Sequence, residues 1–138
     1  MTTSLNSTAV ARDTGEQQLH ALRKRITFAD VATTVTVGKI PAGASVVGGG
    51  IHVVTAFNAT TTNVANVGFI GATTNASGYA TALTTAAVGW IVFDELATTT
   101  NIQGTVDHTI TVAPTETGAA STAGVADVIV WFVLNNDK

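Results

Sequence analysis

The most constraining feature of the sequence is a two-residue alternation of apolar and threonine side chains, repeatedly interrupted by glycine and proline. In the stretch VATTVTV, the residues Val31, Val35 and Val37 share one parity, whereas Thr34 and Thr36 share the other. Successive side chains of a strand point to opposite faces, so this pattern predicts a strand with one buried and one solvated face. Seven or eight short segments of this kind, separated by turn residues, predict an all-β antiparallel β-sandwich or jelly roll over residues 26–138.

Further strands are predicted after this first one. In the segment 104–113, Ile110 and Val112 face one side and threonines the other, so one face is wet. Segment 71–87 has no clear period, which predicts mostly loop, with one short strand or helical turn around Tyr79 to Leu83. The other predicted strands are 51–57, 64–70, 88–95 and 125–134.

The segment VADVIVWFVL, residues 125–134, is apolar on both parities apart from Asp127. Such a strand needs cover on both faces. The sandwich core covers one face, and either a partner subunit or the chain's own loops cover the other. Val128, Val130 and Phe132 are the predicted contact residues of this strand.

Three consecutive glycines, Gly48, Gly49 and Gly50, precede the β-branched run that starts at Ile51. Glycine inside a strand marks a bulge, a bend or a close approach of another backbone, since it has no Cβ to clash. We expect these glycines to let one long segment bend from one sheet to the other. A phosphate-binding loop is the alternative, but it requires a following helix, whereas a strand follows here.

Residues 1–25 are predicted to form an extended or partly helical arm. Capping-box spacing at Thr14 and Gln17, with Leu19 and Leu22 one turn apart, predicts a short helix over 15–24. This arm holds four basic and two acidic side chains, a charge of +2, whereas the other 113 residues hold two basic and seven acidic ones, a charge of −5. An arm of opposite charge favours a position across an acidic neighbouring surface. Its predicted contact residues are Arg12, Arg23, Lys24 and Arg25.

Composition excludes several classes of protein. With no cysteine, the chain has no disulfide, thiol nucleophile or thiolate metal site. No apolar run is long enough to cross a bilayer, and the polar start lacks the apolar region of a signal peptide, so a soluble chain is expected. Charged residues make up only 11% of the chain, while threonine and alanine supply about a third. So sparse a charge suits a chain that works inside an assembly.

The sequence contains few signals of catalysis or metal binding. The sequence has no Gly-x-Ser-x-Gly and no His-Glu-x-x-His motif. A hydrolase or lyase would require His52 and His108 to converge with Asp94 or Asp107. No basic groove with interleaved aromatics appears, so nucleic acid is not an expected partner. The aromatic residues of the apolar strands are predicted to pack in the core: Trp90, Phe93, Trp131 and Phe132.

The pattern VTVGKIPAGASVVGGGIHVVTAFNATTTNVANVGFIG, with the closing AGVADVIVWFVLN, resembles small structural proteins of tailed bacteriophages. It is similar in size, composition and strand-turn style to jelly-roll capsid cement or decoration proteins. The resemblance covers most of residues 26–134. It implies a virion protein on the capsid exterior, made in the bacterial cytoplasm, without enzyme activity or cofactor. Its implied partners are the major capsid protein and further copies of itself, as a homodimer or homotrimer, with no nucleic acid or membrane.

One alternative stays open within the virion. In this alternative, the chain is a head-fibre base, a tail part or a module that binds host-surface glycans. An exposed aromatic groove, for example Trp90 beside Tyr79, favours that alternative.

Overall fold

The computed structural model describes residues 19–97 and 105–134, which form eight strands and one short 3-10 turn, Phe28–Asp30. Within these residues, no helix is long and apolar enough to span a membrane. The strands are β1 (Leu19–Thr27), β2 (Val35–Ile40), β3 (Ser45–Thr55), β4 (Thr62–Ile70), β5 (Thr74–Thr84), β6 (Gly89–Val92), β7 (His108–Thr117) and β8 (Val125–Val133).

The strands form two four-stranded sheets, and all neighbours pair antiparallel. Sheet A has the order β1-β8-β3-β6, and sheet B has the order β2-β7-β4-β5. Only β4 and β5 are consecutive in the chain and paired in one sheet, so the other described connections pass between the sheets. The structure confirms the predicted antiparallel β-sandwich, and this strand order is that of a jelly roll.

The core lies between the sheets and is built by alternation. On β8 the even-numbered residues from Ala126 to Phe132 point inward, and on β7 His108, Ile110 and Val112 do the same. Tyr79 and Phe69 are the largest fully buried side chains, and their rings lie 5.3 Å apart. The predicted apolar and threonine sides of β7 are therefore confirmed, but the threonine side is only partly exposed to water, because Thr111 is buried.

The helix predicted over 15–24 is wrong for residues 19–24, which belong to β1. This strand pairs with β8 without interruption from Leu19, opposite Val133, to Thr27, opposite Val125. Local capping signals are weak, and the long ladder with β8 overrides them. Residues 1–18, including Arg12, lie outside the described residues.

The mostly loop structure predicted for 71–87 is also wrong, because β5 runs through its centre. The pairing of β5 with β4 shifts register twice, and Ala82 has a positive φ of 51°. Those irregularities break the two-residue alternation from which a strand is recognised. In contrast, β6 is shorter than the predicted 88–95, and β2 begins only at Val35, after the 3-10 turn.

The triple glycine does not bend the chain between sheets, since all of β3 stays in sheet A. An aromatic ring covers each glycine instead. A Cβ on Gly48 would lie 2.9 Å from Cε3 of Trp131, and one on Gly50 would lie 2.7 Å from Cζ2 of Trp90. At Gly49, whose φ is +148°, a Cβ would collide with the ring of Phe93 and with a backbone carbonyl oxygen. Close approach of rings and backbone is therefore the reason for the glycines.

Candidate interaction surface

The outer side of sheet A carries an exposed apolar surface centred on two tryptophans. Directly paired residues of antiparallel strands point to the same side, and Trp131 pairs with Gly48 while Trp90 pairs with His52. The side chains of Trp90 and Trp131 are 42% and 37% exposed. We call this surface the tryptophan face, and its apolar members are Trp90, Val92, Ile129, Trp131 and Val133.

The glycines of β3 bring the two indole rings together. Because Gly48 and Gly50 carry no side chain, Trp131 from β8 and Trp90 from β6 both reach over β3 from opposite sides. Their ring centroids lie 5.8 Å apart, with an interplanar angle of 31°. A β3 with larger residues at these positions would push the rings apart. The triple glycine thus builds the centre of the tryptophan face.

The two outer faces of the sandwich differ in chemistry. Sheet B turns mainly threonines outward, and these form the threonine face: Thr36, Thr62, Thr109, Thr115 and Thr117. Both tryptophans of the chain lie on the opposite side. Contiguous exposed apolar surface with tryptophan at its centre is typical of interaction sites.

The structure corrects the residues predicted to make contact on β8. Val128 and Val130 are fully buried and Phe132 is 7% exposed, because the even parity of β8 faces the core. The outward residues of β8 are the odd-numbered ones, among them Ile129 and Trp131. Asp127, the only charged residue of the strand, has this odd parity, so it was the sequence signal for the outer face.

The prediction that the strand aromatics pack in the core holds for two of the four. Phe93 and Phe132 are buried, whereas Trp90 and Trp131 belong to the outer surface. The predicted groove of Trp90 beside Tyr79 does not form, because Tyr79 is fully buried. Trp131 takes the place beside Trp90.

A charged cluster lies next to the tryptophan face on β1 and β8. Arg25 holds both carboxylate oxygens of Asp127, from Nε at 2.9 Å and from a terminal nitrogen at 3.0 Å. A terminal nitrogen of Arg23 donates to the same carboxylate at 2.7 Å. The hydrogen bonds of Arg25, followed by those of Arg23, hold the pKa of Asp127 at about 2 despite its burial. Because two guanidinium groups share one carboxylate, the cluster of Arg23, Arg25 and Asp127 carries a net positive charge.

We expect acid to weaken the fold through Asp127. Its lowered pKa contributes stability that is complete above the unfolded value of 3.8 and is lost as pH falls towards about 2. Both arginine side chains are more than half exposed, so solvent screening reduces the effect. Asp127→Asn should therefore lower the free energy of unfolding at pH 7 by about 1 to 2 kcal/mol.

Urea unfolding at several pH values from 7 to about 2 measures this effect. Asp127→Asn should flatten the loss of stability below pH 4, whereas the exposed control Asp107→Asn should keep the wild-type slope. A wild-type slope in the Asp127 variant would contradict the assigned role.

The residues considered for catalysis do not converge. His52 points outward from sheet A, whereas His108 is buried on the inner side of sheet B, stacked on Phe69 at 4.8 Å. Burial lowers the pKa of His108, and its Nδ1 has no hydrogen-bond partner among the described residues. The described parts of the chain contain no group of three or more His, Asp or Glu residues placed to hold a metal ion.

Chains of the same fold occur in solved structures of phage capsids. A chain from the capsid asymmetric unit of cyanophage Pam1 is 22% identical, with a TM-score of 0.69, and the match covers 98% of each chain. A chain from the acid-stable capsid of Helicobacter pylori bacteriophage KHP30 is 17% identical, with a TM-score of 0.66, over 86% of this chain and 89% of that one. A chain from the capsid of Ralstonia phage GP4 is 18% identical, with a TM-score of 0.64, over 94% and 92%. No protein-family model matches the sequence, and no curated protein is significantly similar to it.

Proposed function

We propose that the chain is a structural protein of a bacteriophage virion that binds the outside of the head as a cement or decoration protein. The observation that carries this proposal is the match of almost the whole jelly roll to a chain of a phage capsid asymmetric unit. The exposed tryptophan face supports it independently, because such a surface fits a protein that works against another protein. The role is structural and needs no cofactor.

We propose the tryptophan face as the surface that contacts the major capsid protein. Tryptophan and arginine are the residues that most often carry the binding energy of interfaces. Here Trp90 and Trp131 form an apolar centre, and Arg23 and Arg25 lie at its border. Arg12 of the predicted arm is proposed to extend this contact, whereas Lys24 lies on β1 opposite the inward-facing Val128 and so does not belong to it.

A cement protein stabilises the shell by mass action. It binds the assembled lattice and not the dissociated subunits, so each bound copy raises the free energy needed to disrupt the shell. Contacts to neighbouring capsid subunits add through multivalency, and modest individual affinities therefore suffice. The threonine face presents hydroxyl groups that form hydrogen bonds with water, which suits an exposed outer surface.

Heads assembled without this chain provide the test. Purified chain added to such heads should bind to a fixed number of sites and raise the temperature at which the heads release their DNA. Tails purified from the same phage are the control, and they should bind none. Heads that bind no chain, or tails that bind it instead, would overturn the proposal.

The exposed indole pair also favours a second candidate function, a virion module that binds host-surface glycans. Aromatic rings that present an accessible side can stack on the apolar side of a sugar ring. If the chain has this function, purified host lipopolysaccharide or capsular polysaccharide should bind it saturably, whereas phage heads should not bind it. The two candidate functions differ in the ligand that shields Trp90 and Trp131 from solvent, which is the capsid for a cement protein and a host glycan for a glycan-binding module.

A further inference from the structure

Charge is distributed unequally between the two edges of the sandwich. All lysines and arginines of the described residues lie on β1 and β2, the adjoining edge strands of the two sheets. They are Arg23, Lys24, Arg25 and Lys39, and they outnumber the two acidic residues at the same edge, Asp30 and Asp127. The two strands meet at this edge, since Leu22 of β1 packs against Gly38 of β2, where a Cβ would lie 3.0 Å from its methyl carbons. We call this the basic edge.

The opposite edge carries acidic residues and no lysine or arginine among the described residues. After β6 the chain runs along β5, where the backbone N–H of Glu95 donates to the carbonyl oxygen of Tyr79 at 3.1 Å. Asp94 is exposed beside it and accepts a hydrogen bond from the backbone N–H of Thr81 at 3.0 Å. We call this the acidic edge, defined by Asp94 and Glu95.

We infer that copies of the chain associate head to tail, with the basic edge of one copy against the acidic edge of the next. The two edges have opposite charge, so the basic edge of one copy attracts the acidic edge of the next and repels another basic edge. Contact between different patches is heterologous, and such contacts form a closed ring of three or more copies when the rotation between neighbours closes, and an open filament when it does not. Of the dimer and trimer predicted from the sequence, this contact is compatible only with the trimer.

The contact is made by side chains and not by pairing of edge strands. On the free side of β5, backbone groups are already occupied by the chain that follows β6: the N–H of Glu95 donates to the carbonyl oxygen of Tyr79, and Asp94 accepts from the N–H of Thr81. Such protection, and the two register shifts of β5, prevent another strand from adding to this edge. The association is therefore expected to weaken with salt.

This inference rests on the proposed cement function, for which the resemblance implies a homodimer or homotrimer, but its test needs no heads. Sedimentation of the purified full chain measures association directly. We expect oligomers at low ionic strength, and a dissociation constant that rises at least tenfold between about 0.05 and 0.5 M salt.

Charge reversal identifies the edges. Lys24→Glu with Lys39→Glu changes the basic edge without touching the arginines that hold Asp127, and Asp94→Lys with Glu95→Lys changes the acidic edge. Each double variant alone should be monomeric. An equimolar mixture should associate again, but only into mixed pairs or rings with an even number of chains, because only unlike variants are complementary and a ring of three cannot alternate them. Thr115→Glu adds charge on the threonine face and should leave association unchanged.

Circular dichroism melting verifies that each variant is folded. If Asp94→Lys with Glu95→Lys unfolds, Asp94→Asn replaces it, because asparagine keeps an acceptor for the N–H of Thr81. The inference would be overturned if both double variants still form oligomers, or if Thr115→Glu loses them to the same extent as the double variants do. It would also be overturned by a wild-type chain that stays monomeric at low salt. Wild-type head binding measured in parallel tests the cement function separately, since a monomeric chain that still binds heads refutes only the ring.

Discussion

Gly49→Val should lower the free energy of unfolding by about 4 kcal/mol, the largest single effect that we expect from a change in the sheets. Two costs add at this position. A φ of +148° is strained for a residue with a Cβ, and that Cβ would also collide with the ring of Phe93 and with the carbonyl oxygen of Ile129. Neither neighbour can retreat easily, because Phe93 is buried and Ile129 belongs to the central strand β8.

Gly89 offers a matched control for this experiment. Its φ of +145° is nearly the same, but a Cβ there would meet nothing within 4 Å. Gly89→Val should therefore cost only the backbone strain, about 1 to 2 kcal/mol. Urea unfolding of the two variants separates strain from packing. Equal losses would assign the whole effect to backbone conformation, and an unchanged stability of Gly49→Val would show that the ring does not require the glycine.

The two-residue alternation made most of the sandwich predictable. β7 is recognisable because its apolar residues and threonines alternate, whereas β8 is recognisable as a short, almost continuous apolar run. β1 was missed because its residues satisfy a helical spacing equally well, and only the ladder with β8 decides between them. β5 was missed because register shifts conceal its alternation.

The candidate site depends on information that local sequence does not contain. Three glycines in a row were correctly expected to mark an unusual position, but only the pairing shows that rings from β6 and β8 lie over them. On β8 the apolar residues leave both parities open, and Asp127 is the one sequence signal for the outer face. The buried carboxylate of Asp127, held by Arg23 and Arg25 from the edge, shows which parity is outside.

The tryptophan face leads to the second large effect, the loss of attachment to heads. Trp90→Ala combined with Trp131→Ala should weaken binding to heads at least 100-fold, because truncation of a tryptophan at the centre of an interface commonly costs 2 kcal/mol or more. The face includes both tryptophans of the chain. A double alanine change on the opposite surface, Thr115→Ala with Thr117→Ala, should leave binding within about threefold of wild type.

Truncation also uncovers the backbone of Gly48 and Gly50, so a fall in binding has to be distinguished from a fall in stability. A chain of wild-type sequence labelled with 5-hydroxytryptophan makes that distinction. The label absorbs at longer wavelength than tryptophan, so it can be excited selectively, and it reports only on positions 90 and 131, the two tryptophans of the chain. If the tryptophan face meets the capsid, emission shifts to shorter wavelength and acrylamide quenching falls as heads are added. Emission and quenching that stay unchanged while the chain binds would place the contact on another surface of the chain.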